Sequence, residues 1–224
     1  MLIITACSNN DNEIIKNRPE KCIILGNSIT LHGICDYWWG RWGMAASTRE
    51  NDFVHKLENK IRNKKQNFIC TPVNIANWET SLNIDSIKWT TLNIYDYDYV
   101  IIRLGENISN DTESEICEKA IKELITYLKQ KNSSVKLYIT GEFWPNASKE
   151  SAIINAAEAE NIKYIKIDSL YTDQNVHKIG DKVFGDDGQL HVIEHSGVAI
   201  HPNDSGMEAI AEEIFKAIIT DIVF

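Results

Sequence analysis

From residue 21 onward the chain alternates short β-prone runs with longer amphipathic segments, and that alternation admits few folds. Residues 21–25, 67–71, 99–104, 135–140 and 162–167 carry the Ile, Val, Tyr and Phe content expected of strands. Between them, segments of about 49–64, 113–130 and 148–160, and a last one of about 205–219, read as helices. In the second of these, Ile116, Ala120, Leu124 and Leu128 recur at the spacing of one helix face. Parallel strands need such crossovers, so the pattern predicts an α/β fold with a mostly parallel sheet and helices on both faces.

A length of 224 residues with 43% hydrophobic and 25% charged residues suits one domain, and no run is long enough to span a membrane. The 32 acidic against 23 basic side chains give a net charge of -9, which disfavours nucleic acid as a partner. Cys22, Cys70 and Cys117 sit in apolar periodicity and read as buried thiols. The five cysteines make no metal-binding spacing. His191 and His195 flank Glu194, but without a second cluster they read as loop histidines.

Open parallel sheets bind ligands beyond the carboxyl ends of their strands. Those edges read Gly26-Asn27-Ser28 after the first strand and Val73 to Trp78 after the second. Gly105-Glu106-Asn107 follows the third, Gly141 to Trp144 the fourth, and His201-Pro202-Asn203-Asp204 precedes the last helix. A serine hydroxyl attacks a carbonyl only when a base takes its proton, and imidazole suits that task near neutrality. The oxyanion then needs preorganised donors, for which the Ser28 N–H, the Asn107 amide and an N–H after the second strand are candidates. Asp204 or Ser205, with Glu208 at capping-box spacing, is expected to start the last helix and steady His201.

These blocks resemble the SGNH hydrolases, also called GDSL-type esterases, over about residues 21–220. The resemblance implies a flavodoxin-like α/β/α sandwich on a five-stranded parallel sheet. It also implies a serine esterase needing no cofactor and no metal, with Ser28 as nucleophile, His201 as base and Asn107 in the oxyanion hole. The first block has Asn27 where the family usually has aspartate. The second block lacks its usual glycine, so Asn77 is the candidate donor and Gly43 the alternative.

The family's acid, three residues before the histidine, is replaced by Val198. Three readings follow: a Ser-His dyad oriented by a backbone carbonyl, a substitute acid at Glu194 or Glu142, or reduced activity.

Trp38, Trp39 and Trp42 crowd the insert from Leu31 to Ala46, and Trp78 and Trp144 follow strand ends. They are expected partly to pack beneath the loops and partly to face a sugar ring or narrow an acyl pocket. The substrate expected is a short-chain, acetyl ester, on carbohydrate. A lipid or lysophospholipid esterase and an inactive carbohydrate-binding protein are the alternatives.

Residues 1–20 form a tail ahead of a hydrolase domain at 21–224. Its apolar start before Cys7 and the polar spacer after it resemble the end of a bacterial lipoprotein signal. On that reading Cys7 is lipid-anchored and the protein periplasmic or on the cell surface; on the other, it is cytoplasmic.

Overall fold

The computed structural model describes residues 18–222, so the expected anchor at Cys7 lies outside the described residues. Five strands pair in parallel in the order β2-β1-β3-β4-β5. They are β1 (Glu20–Gly26), β2 (Phe68–Asn74), β3 (Tyr99–Arg103), β4 (Lys136–Thr140) and β5 (Lys163–Ile165). This is the flavodoxin-like order, with its switch point between β1 and β3. All five lie close to their expected positions, although β2 runs on to Asn74.

Among the described residues the α-helices that connect or follow these strands are α1 (Phe53–Arg62), α2 (Ala76–Ser81), α3 (Ser114–Lys131), α4 (Ala147–Ala159), α5 (Ser196–Ala199) and α6 (Asp204–Ile218). Side chains alternate across a strand, and the two faces of the sheet collect different helices. Cys22, Ile24 and Ile101 pack with Phe53 and Leu57 of α1 and Ile210 and Ile214 of α6. Ile23, Leu25, Val100 and Ile102 pack with Leu124 of α3 and Ile153 of α4 on the other face. The central strands β1 and β3 are covered on both faces, which explains their continuous apolar runs.

Two local expectations change, and one element is new. The buried stripe of α3 runs through Cys117, Ala120, Ile121, Leu124, Ile125 and Leu128, and Ile116 is exposed. The N-cap of α6 is Asn203, whose Oδ1 accepts from the N–H groups of Ser205 and Gly206 at 2.9 and 3.0 Å. Asp204 instead accepts from Ser47 and Asn51, tying the helix start to the loop before α1. A two-stranded antiparallel hairpin of β6 (Lys182–Phe184) and β7 (Leu190–Val192) had no clear signal, because three-residue strands are too short to show a period.

The tryptophans mostly pack. Trp38 and Trp78 are fully buried and Trp42 nearly so, while Trp39 lies flat on the His191 ring at 4.5 Å. Among the described residues no helix is long and apolar enough to cross a membrane.

Candidate active site

The turn after β1 is set by its glycine. A side chain at Gly26 would meet Thr30 Oγ1 at 1.9 Å, so only glycine lets the chain fold back there. The Thr30 and Leu31 N–H groups donate to the Asn27 carbonyl, and the Ile29 N–H to Asn27 Oδ1. Ser28 is presented at the apex, and its carbonyl is held by the Met44 N–H at 2.8 Å.

His201 arrives from the opposite end of the sequence. Ser28 Oγ and His201 Nε2 are 2.8 Å apart, and His201 Nδ1 is 2.6 Å from the Gly197 carbonyl oxygen. A carbonyl can only accept, so Nδ1 carries the proton and Nε2 is left as the acceptor for the serine hydroxyl. The carbonyl is available because α5 is a single turn. The backbone N–H of His201 donates to Val198 instead, and the imidazole takes Gly197.

Val198 is buried beside the cavity and offers the ring no carboxylate. Glu194 is exposed, and the His201 ring nitrogens bond to Ser28 and Gly197 instead. Glu142 is buried at 2.6 Å from Lys149 Nζ, on an ion pair of its own. Of the three readings for the missing acid, the geometry has the ring on a backbone carbonyl. Burial pushes the His201 pKa down to about 4, against the opposing pull of Gly197 and Glu106; His32 and Arg103 lower it further. Trp144 stands edge-on to the imidazole at 5.0 Å and covers it.

Ser28, His201, Asn107 and Asn77 line one cavity of about 350 Å³. Asn77 is the second residue of α2, where first-turn N–H groups have no partner within the helix. The alternative donor, Gly43, has its N–H committed to buried Asp52 Oδ2 at 3.2 Å. The aromatic on the cavity wall is Tyr37, stacked on His195 at 4.4 Å, and none of the expected tryptophans lines it. A groove of about 440 Å³ below Trp89 and Tyr127, near the start of β3, contains no serine–histidine pair.

Behind the cavity lies a buried charged layer. Arg103 forks onto Glu106, with both nitrogen–oxygen distances at 2.7 Å. Glu106 also accepts from the Phe143 N–H and from Asn27 Nδ2. Burial, the largest influence, would raise Glu106, but Arg103 together with the Phe143 N–H and the Asn27 amide holds the group below its usual value. Glu79 is 1% exposed and accepts from Asn27 Nδ2, the Gly105 N–H and Asn107 Nδ2. Burial and Glu106 push Glu79 above the usual carboxylate range, opposed by those N–H donors.

This layer explains Asn27. Its amide donates to both Glu79 and Glu106, at 3.1 and 2.6 Å, where an ionised aspartate would set a third carboxylate against two. Gly105, at φ 136°, completes the loop; a Cβ there would meet the Glu142 side chain at 2.5 Å. Among the described residues no group of three or more His, Cys, Asp and Glu converges as a metal site.

No family model and no curated protein sequence matches the chain. Solved structures do. A candidate GDSL-like lipase from Bacteroides uniformis superposes with a TM-score of 0.56 at 13% identity, over 92% of this chain and 99% of that one. A family two carbohydrate esterase from Cellvibrio japonicus gives 0.55 at 13% identity, over 91% of this chain and 62% of that one. A two-domain esterase active on acetylated mannans gives 0.58 at 13% identity, over 94% of this chain and 53% of that one. At such identities the likeness shows the fold, an α/β/α sandwich of the GDSL-like hydrolase type.

Proposed function

We propose that the protein is a serine esterase that removes acetyl groups from carbohydrate through a Ser28–His201 dyad. The observation that carries this reading is the 2.8 Å approach of Ser28 Oγ to an imidazole whose far nitrogen is held by the Gly197 carbonyl. Nε2 takes the hydroxyl proton as Oγ attacks the ester carbonyl, and the new C–O bond leaves a tetrahedral oxyanion. The Ser28 N–H, the Asn107 amide and the Asn77 N–H are the donors we assign to it. Collapse breaks the bond to the sugar oxygen, which takes the proton from Nε2. Water then attacks the acetyl-serine with His201 again accepting and returning a proton, and acetate leaves.

Bulk and likeness support the substrate class. A cavity of about 350 Å³ shared with a sugar ring leaves little space for a long acyl chain, which weighs against a lipid esterase. The esterase active on acetylated mannans and the family two carbohydrate esterase share this fold.

The test is hydrolysis of nitrophenyl esters from acetate to octanoate and of acetylated polysaccharide, with a fluorophosphonate label read by mass spectrometry. Acetate preference and a label on Ser28 that is absent from Ser28→Ala are expected. No hydrolysis and no label would make the protein a non-catalytic binder. Octanoate preference would return the lipid esterase.

A substitute acid is tested separately. Because Glu194 is exposed and His201 Nδ1 is already engaged, Glu194→Gln is expected to change kcat by less than about twofold, the range of a surface substitution. A loss near 100-fold would restore Glu194 as the orienting group.

A further inference from the structure

The carboxyl group of Glu79 touches no cavity wall, yet it collects the loop that carries Asn107. Its Oε2 accepts from Asn107 Nδ2 at 2.6 Å, and its Oε1 accepts from the Gly105 N–H at 2.6 Å and the Asn107 N–H at 3.4 Å. Asn27 Nδ2 reaches the same Oε1 at 3.1 Å, so the turn before Ser28 is joined to the loop after β3 through one side chain. Glu79 is a buried residue of α2, the helix whose first turn also brings Asn77 to the cavity. Among the described residues no cation pairs with Glu79. Four N–H groups alone account for its place.

The amide of asparagine is planar, and its two Nδ2 protons diverge by about 120°. When one is held by Glu79, the direction of the other is set. Asn107 lines the cavity with Ser28 and His201, so that second proton has a defined target. Building on the esterase reading above, we propose that Glu79 is a positioning residue, which holds the Asn107 amide so that its free Nδ2 proton faces the oxyanion formed at Ser28.

Glutamine at this position separates positioning from mere filling. Glu79→Gln keeps the volume but turns one of the two acceptor atoms into a donor. If the new NH₂ faces Asn107, that amide must rotate by 180° to offer its oxygen, and Oδ1 then lies where the oxyanion donor stood. If the NH₂ faces Gly105 instead, it opposes the Gly105 N–H and displaces the loop. Either arrangement removes the donor from its place, whereas a glutamate acting only as packing would be replaced without that loss.

The experiment uses the full chain and three variants: Glu79→Gln, Asn107→Ala and the double substitution. For acetyl ester hydrolysis, Glu79→Gln is expected to lower kcat by about 10²-fold or more, as loss of an oxyanion donor does, with KM within about threefold. The double variant is expected to fall within about threefold of Asn107→Ala, because Glu79 acts through that amide. Losses that multiply in the double variant would overturn the proposal, as would a kcat for Glu79→Gln equal to wild type.

A second readout does not depend on turnover. In ¹⁵N-labelled protein the Asn107 side-chain amide, identified by its disappearance in Asn107→Ala, is expected to show one downfield, slowly exchanging proton that moves upfield in Glu79→Gln. An Asn107 signal unchanged by that substitution would overturn the positioning role even in a protein that hydrolyses no ester. A shifted signal in a protein without turnover would sustain it and set aside the esterase reading instead.

Discussion

Replacing His201 by alanine is expected to lower kcat for acetyl ester hydrolysis by about 10⁴-fold or more, the scale seen when the base of a serine hydrolase is removed. The effect is large because Ser28 Oγ has no second acceptor in the geometry: Nε2 at 2.8 Å is its hydrogen-bond partner. The same residue sets a pH signature. The base works as neutral imidazole, so activity is lost as pH falls through its pKa and is retained above it. With burial holding that value at about 4, kcat/KM of wild type is expected to stay level down through pH 5 and to fall about tenfold per unit below pH 4. Charges near the ring adjust the value in both directions, Glu106 upward and His32 and Arg103 downward. An acid limb near 6.5 would mean that His201 is solvated in the working enzyme, and a kcat loss below tenfold in His201→Ala would remove it as the base. Circular dichroism of the variant, unchanged from wild type, separates lost chemistry from lost folding.

The largest expected loss of stability comes from Arg103→Met. The Arg103 side chain is fully buried and Glu106 is 1% exposed, so removing the guanidinium strands a carboxylate in the interior beside Glu79. Breaking such a pair from one side costs about 3–5 kcal/mol, whereas replacing both partners costs far less. Urea unfolding at pH 7 is expected to show that deficit, and Arg103→Met combined with Glu106→Gln to regain part of it. The pH dependence follows from linkage. In Arg103→Met the folded-state value of Glu106 rises above its unfolded value, so the folded variant gains protons more readily. Its deficit is then greatest above the raised value and shrinks as the pH falls through it. An Arg103→Met deficit under about 1 kcal/mol, flat with pH, would mean that Glu106 finds other compensation. The buried pair also reaches the cavity, because Glu106 holds the Asn27 amide next to Ser28.

Much of this molecule was legible in the residues themselves. Helix and strand periods are properties of neighbouring positions, which is why five strands and the four longer helices fall near their expected bounds. Strand ends in an open parallel sheet are where side chains converge, so Ser28, Asn107 and His201 could be singled out from their places in the order. The cysteines at 22, 70 and 117 were readable as buried thiols for the same local reason.

Other features needed the folded chain. Ser28 and His201 are 173 positions apart, and Asn27 and Glu106 79 apart. Nothing in the run Val73 to Trp78 marks the glutamate just beyond it as the acceptor for a loop 28 positions away. The missing acid could be noticed at Val198. A backbone carbonyl was one of the readings for its replacement, but which one could not be read, because every residue has a carbonyl and only the single turn of α5 leaves that of Gly197 free to meet the imidazole. The tryptophans make the same point: their size was evident, but burial of Trp38, Trp42 and Trp78 followed from which loops close over the sheet. Local pattern determined the elements and their order, since it needs only contiguous residues. Partnership between distant polar groups was decided by tertiary structure, since it depends on directions that exist only once the chain has closed.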